Sequence, residues 1–243
     1  VRLDPTAPGG VRVHSFAGDD WRTCMDHLRE RLRLPPRAPK GRRDGAPRTH
    51  VTPPVGEASA RRQTALEIWR RSQPLDGSPA LAYLARRRGL KCLPPRLGEA
   101  IRYHPRCPFA GEFVPCMVAL VRDAVTGEPL GIHRTAITDT GEKATVNGRR
   151  KLSLGPIGGG AVMLSPSDDV TMVLAVAEGI ETALALRGLP GLEHMPVWAL
   201  LSASGLGSCP VLGGIESLWI AVDHDASGAG DRAASELSRR WEA

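Results

Sequence analysis

The sequence predicts an α/β fold, with an open, mostly parallel sheet in its C-terminal third and a smaller basic α+β unit ahead of it. Two observations carry the parallel sheet. Val173-Leu-Ala-Val-Ala177 and Leu218-Trp-Ile-Ala-Val222 are short, β-rich apolar runs, each followed by acids, small residues and a helical pattern, the alternation expected of buried strands joined by helices. A third run, Pro196-Val-Trp-Ala-Leu-Leu201, lies between them. The upstream unit is predicted by helical periodicity followed by a hairpin: Cys116 to Asp123 and Leu130 to Ala136 flank Ala124-Val-Thr-Gly127-Glu-Pro129, a turn composition between two strand patterns.

In order, the chain divides into four segments. In residues 1–34, Gly10-Val-Arg-Val-His-Ser-Phe16 alternates like a strand, and Gly18-Asp19-Asp20 caps an amphipathic helix from Trp21 to about Leu32, short polar residues being favoured where a helix begins. Residues 35–59 hold Pro35-Pro36, Pro39, Gly41, Gly45, Pro47, Pro53-Pro54 and Gly56; that composition predicts a basic, disordered linker. Residues 60–165 should open with a helix from about Ala60 to Gln73, striped by Ala65, Leu66, Ile68 and Trp69. A second helix from Ser78 to Arg88 packs Leu81, Tyr83 and Leu84 and stops at Gly89, glycine being a common helix terminator. Strands follow at Ile101 to His104 and in the hairpin, and Gly158-Gly159-Gly160 turns into Val162-Met-Leu164. Residues 170–243 hold the parallel sheet.

Composition narrows the classes. A chain of 243 residues suits one large or two modest domains. It has no run of eighteen apolar residues, which excludes a membrane-spanning helix, and no charged-then-apolar leader that marks export. It begins at Val1 rather than Met and stops at Ala243, soon after the helix that follows Asp225, so it reads as a fragment at both ends. The five cysteines, Cys24, Cys92, Cys107, Cys116 and Cys209, form no Cys-x-x-Cys. That spacing argues against a zinc site within the chain and against a disulfide framework, and points to reduced thiols in the cytoplasm. The formal charge of +6 is uneven: Arg29 to Arg102 carries eighteen Lys and Arg against six acids, and the remainder is net negative. Such basic density, dense around Arg31 to Arg43 and at Arg86-Arg87-Arg88, suits a polyanionic partner.

The acids after the two strand runs bear the chemistry. Glu178-Gly179 follows the first run and Asp223-His224-Asp225 the second. Open α/β sheets bind ligands at the carboxyl ends of their strands. Glu178, Asp223 and Asp225 should therefore form one cluster of hard oxygen ligands, suited to Mg2+ or Mn2+ held against phosphate oxygens. A Glu-Gly after one strand and an Asp-x-Asp after another resembles the Toprim domain of bacterial primases, type IA and II topoisomerases and related nucleases, whose sheet is Rossmann-like. The resemblance implies Glu178 as general acid or base, also able to hold metal, and Asp223 and Asp225 as metal ligands.

The likeness extends upstream. The run from Tyr83 through His133-Arg134-Thr135, Gly141-Glu-Lys143-Ala144 and Glu178-Gly-Ile-Glu181-Thr-Ala-Leu resembles the primase-like Toprim proteins of phages, plasmids and integrated elements, and covers most of the chain. It implies a basic primase-type subdomain in which Arg134, Lys143 and Lys151 face template and nucleotide. The Gly18-Asp19 helix is similar to the tail of the zinc ribbon that precedes primase catalytic domains, although His14 and Ser15 stand where metal ligands are expected. Thr182 occupies a position where the family often has Asp, with Glu181 one residue earlier, and the family's further acidic pair falls beyond Ala243. Metal stoichiometry stays open on that account. No Gly-Lys-Ser/Thr follows Gly158-Gly159-Gly160, so a phosphate-loop ATPase is not present in the sequence.

The resemblance implies metal-dependent primer synthesis on single-stranded DNA from nucleoside triphosphates, with a replicative helicase as a candidate partner. Two other functions share the same acids: a Toprim nuclease with water as nucleophile, and a catalytically silent nucleic-acid-binding module. A topoisomerase needs a tyrosine nucleophile, and Tyr83 and Tyr103 fall at predicted core positions.

Overall fold

The computed structural model describes residues 2–3, 11–12, 55–86, 90, 92–222 and 228–242. Contacts divide the chain into two units, Val1–Thr52 and Pro53–Ala243. In the first, β1 (Arg2–Leu3) pairs antiparallel with β2 (Val11–Arg12). β2 takes two residues of the strand expected from Gly10 to Phe16; the helix expected from Trp21 and residues 35–54 of the expected linker lie outside the described residues.

The second unit opens with helix α1 (Val55–Arg71). It starts five residues ahead of the expected Ala60 and takes up the end of the segment read as linker. Proline and glycine there suggested a break, yet proline is tolerated at a helix start, and Glu57 in the first turn sits favourably against the helix dipole. Helix α2 (Pro79–Arg86) follows, and Ser78 accepts from the Leu81 amide at its start. The first two strands of the main sheet, β3 (Ile101–Phe109) and β4 (Glu112–Asp123), make a longer hairpin than the sequence suggested. Pro105, Pro108 and Pro115 read as breaks because they lack an N–H. A register shift between His104 and Cys107 absorbs the first irregularity, as bulges do. The turn is Ala110-Gly111, both at positive φ (51° and 88°), the two-residue geometry that matches strand twist.

Strands β5 (Pro129–Ala136), β6 (Lys151–Leu154), β7 (Gly160–Met163), β8 (Val173–Ala177), β9 (Val197–Ala199) and β10 (Ser217–Ala221) complete an eight-stranded sheet. Its order is β10-β8-β9-β7-β4-β5-β6, with β3 also on β4. β10, β8 and β9 are parallel; β7 runs antiparallel to β9 and to β4. The short β4–β7 pairing, Arg122 with Ala161 and Asp123 with Gly160, fuses the antiparallel half to the parallel half. Gly160 is required there: a Cβ would lie 2.7 Å from Val121 Cγ1 and 3.0 Å from the Arg122 carbonyl oxygen. The third glycine of the expected turn is thus a buried strand residue.

Helices α3 (Ile180–Leu186), α4 (Ala203–Ser208) and α5 (Ala229–Trp241) complete the fold. Successive strand residues face opposite ways, so the sheet feeds a core on each side. On one face Tyr83 and Leu84 of α2 and Ile180 and Leu184 of α3 pack with Met117, Ala119, Val162 and Ala175. On the other, α1 buries Ile68 and Trp69 against Val118 and Ile132, while Leu206 of α4 and Leu237 of α5 cluster with Leu174, Val176 and Trp198. The result is an α/β protein with a mostly parallel, Rossmann-like sheet region preceded by a smaller α+β region. No described helix is long and apolar enough to cross a membrane.

Candidate functional site

β8 and β10 are neighbours in parallel register, with Ala177 opposite Ala221. Their carboxyl ends therefore emerge side by side. Glu178 follows β8 directly, is half-buried, and its side chain makes no hydrogen bond or ion pair with a described residue. β10 ends at Ala221, two residues before Asp223. Asp223 and Asp225 lie outside the described residues, and among the described ones no three His, Cys, Asp or Glu converge as metal ligands. The donor chemistry still suits a hard cation: an unpaired carboxylate on one strand end and two more carboxylates in the segment that follows the adjacent strand.

Beside Glu178 stands a second acid that the sequence did not single out as a site residue. Glu181, in the first turn of α3, is 8% exposed. The Tyr83 hydroxyl donates to its Oε1 at 2.6 Å, Lys151 Nζ donates to its Oε2 at 2.9 Å, and Lys143 Nζ lies 3.7 Å from Oε1. Burial by itself would raise the carboxyl pKa. The Lys151 charge and the hydrogen bonds from Tyr83 and Lys151 outweigh it and hold Glu181 down at about 2. A buried charge needs such partners, so Glu181 is an ionised anchor for two ammonium groups.

The chain builds this cluster from both halves of the sheet. Lys151 on β6 pairs across to Thr135 on β5, and Lys143 forms a bridge with Ile137 just past the end of β5. Cross-strand partners share a face, which here is the face of α2 and α3. Gly141 turns the loop before Lys143 at φ 79°, and a Cβ there would stand 2.7 Å from the Pro79 carbonyl oxygen and 2.9 Å from the Tyr83 amide nitrogen. The Gly141-Glu142-Lys143 motif is therefore pressed against α2 at Tyr83. Arg86 secures the same loop by donating to the Thr140 carbonyl at 2.9 Å.

Arg134, expected beside Lys143 and Lys151 facing template and nucleotide, is turned the other way. Strand alternation puts it with Ile132 and Ala136 on the α1 face, where it is 7% exposed. Its guanidinium donates to the carbonyls of Pro108 and Ser153 and lies 6.0 Å from the centre of the Phe109 ring. It ties β3 and β6 to β5 instead of facing the acids. The residue on the site face is His133, whose Nδ1 is 2.9 Å from Ser153 Oγ. Burial first, then the Lys151 charge, push the His133 pKa down to about 4. The ring is thus neutral near pH 7 and adds no charge to the cluster. In the sequence His133 and Tyr83 belong to the run that carries the family resemblance, to the period-two alternation of β5 and to the apolar stripe of α2. Neither pattern announces a polar role.

Residues 59–164 match a family described as Domain of unknown function (DUF7146), and residues 173–243 match the Toprim domain. No curated protein and no solved structure matches the chain. A Toprim domain thus forms the C-terminal part, and such domains are typically metal-dependent and act in nucleic-acid processing.

Proposed function

We propose that this protein is a primase-type nucleotidyltransferase that synthesises primers on single-stranded DNA from nucleoside triphosphates. The observation that supports it most is the fusion of the two sheet halves: it sets Lys151 and Lys143, from outside the Toprim segment, around the first turn of the helix that follows Glu178. A metal-binding fold by itself does not require two lysines held there by a buried acid. The three charges sum to a net positive, and Lys151 uses one of its three donors on Glu181. That arrangement suits the phosphates of an incoming nucleotide.

In this reading the primer 3′ hydroxyl attacks the α-phosphorus. The new O3′–P bond forms as the bond to the β-phosphate oxygen breaks, and pyrophosphate leaves. Glu178 takes the hydroxyl proton, a role open to a carboxylate with no competing partner. Lys143 and Lys151 stabilise charge on the phosphates, where fixed donors are worth most. Glu178, Asp223 and Asp225 would hold Mg2+ or Mn2+, which when bound neutralises charge at the phosphorus. A replicative helicase is a fitting partner for such an activity, and the cytoplasm a fitting compartment.

A Toprim nuclease would use the same acids with water in place of the 3′ hydroxyl. The test runs two reactions of the protein with Mg2+ side by side on one gel, one with an unlabelled single-stranded template and labelled nucleoside triphosphates, the other with the template labelled. Template-dependent extension products support the proposal. Shortened template without extension, lost in Glu178→Gln, assigns the nuclease instead.

A further inference from the structure

Phe113 is 65% exposed near the start of β4, in a protein with only three phenylalanines. Its place on the sheet is specific. Phe109, Cys107 and Val114 face α1, so alternation puts Phe113 on the opposite face, which carries the Glu181 cluster. There the side chains form successive rows. Lys151, Thr135 and Met117 make one row, and Lys143, Ile137 and Pro115 the next. Phe113 stands one row further out, roughly 14 Å from Met117 at the usual strand rise.

The surrounding turns are rigid and basic. Val146 and Arg149 bond each other's backbone across Asn147-Gly148, both at positive φ (46° and 75°), and the Asn147 side chain donates to the Ala110 carbonyl at 3.0 Å. Two hairpin tips are thereby locked together. Exposed Arg106, Arg149 and Arg150 belong to this end of the sheet, and no ion pair among the described residues engages them. Against them stand Glu112, Asp139 and Glu142, and with Lys143, Lys151 and Glu181 this end of the sheet sums to one positive charge. An exposed aromatic ring in line with two lysines has the composition of a single-strand binding platform.

We infer that Phe113 is a base-stacking platform for single-stranded nucleic acid leaving the Lys143–Lys151 end of the site. This rests on the nucleic-acid reading proposed above and adds to it the route of the strand.

The test titrates the full chain into a labelled single-stranded DNA oligonucleotide and, separately, into heparin, a polyanion without bases. Phe113→Ala should weaken oligonucleotide binding about tenfold, as loss of one stacked base does, with the salt dependence unchanged because no phosphate contact is lost. Heparin binding should not change. Phe113→Trp should bind like wild type and show emission quenching by the oligonucleotide beyond that of wild type. Equal oligonucleotide affinity in Phe113→Ala, or no added quenching in Phe113→Trp, overturns the stacking role while leaving the proposed activity standing. Self-association of the wild type that Phe113→Ala removes would assign the patch to a second copy and overturn it too. Absence of any oligonucleotide binding by wild type at low salt overturns both.

Discussion

Lys151 Nζ donates to Glu181 Oε2 at 2.9 Å, joining the last strand of the antiparallel half to the first helix turn after the Glu178 strand. Thirty residues separate them in sequence. With Tyr83 and Lys143 on the other carboxylate oxygen, this bond fixes the relation between the basic subdomain and the acid end of the sheet.

Glu181→Gln leaves two ammonium groups without their counter-charge. Breaking a largely buried pair is costly, and about 3 kcal/mol of unfolding free energy should be lost in urea titrations. Tyr83→Phe removes the hydrogen bond to the Glu181 carboxylate and should cost about 2 kcal/mol. A neutral Glu181→Gln variant contradicts the anchoring role.

Stability should fall with pH in two windows. The folded-state pKa of His133 is depressed from 6.5 to about 4. Between those values the unfolded chain binds more protons, so the contribution present above 6.5 is lost as pH falls toward 4, at most about 3 kcal/mol. Glu181 is also depressed, so its contribution is held above the ordinary carboxyl value of 4.5 and disappears as pH falls through about 2. His133→Asn should flatten the upper window only. Unfolding free energies measured at intervals from pH 7 to pH 4 would show it; an unchanged slope in the variant contradicts the assignment.

Gly141→Ala forces a Cβ against the Pro79 and Tyr83 backbone at a positive φ. It should cost about 2 kcal/mol or more and displace the loop that carries Lys143. Hydrogen exchange should then speed up at residues 138–144 ahead of the rest of the sheet.

Arg134→Met and Lys151→Met should separate structure from chemistry. The first leaves the Pro108 and Ser153 carbonyls short of a donor and should lower stability by roughly 2 kcal/mol without changing nucleotide KM in the folded protein. The second should raise KM for the nucleotide and lower kcat. A raised KM in Arg134→Met would return that residue to the site.

Much of the fold was legible because its signals are periodic. The runs at Val173 and Leu218 are parallel strands, the first buried and the second an edge strand with Trp219 exposed, and the Gly127 turn joins β4 to β5 as its composition indicated. The long β3–β4 hairpin was hidden by three prolines, since local chemistry does not reveal that a bulge will accommodate one of them. Among the candidate residues, Glu178 stands out because an acid directly after a buried strand is conspicuous. Glu181 does not, because an acid in a helix's first turn is ordinary until tertiary packing buries it between lysines. Arg134 lies on the α1 face and not with Lys143 and Lys151, because charge alone does not say which face of a strand a residue takes. The alternation Ile132, Arg134, Ala136 held that information, and the hydrophobic members of the set decide the side.

The most direct measurement of the central claim is single-turnover incorporation of a labelled nucleotide on a primed single-stranded template at saturating Mg2+, by wild type and Glu178→Gln, with template affinity measured alongside. The Glu178 side chain makes no hydrogen bond or ion pair with a described residue, so its substitution should leave fold and template binding nearly unchanged. It should lower incorporation by at least about a hundredfold, the usual scale for a lost general base. Incorporation by Glu178→Gln at the wild-type rate, or none by either protein under conditions where template is bound, would contradict it.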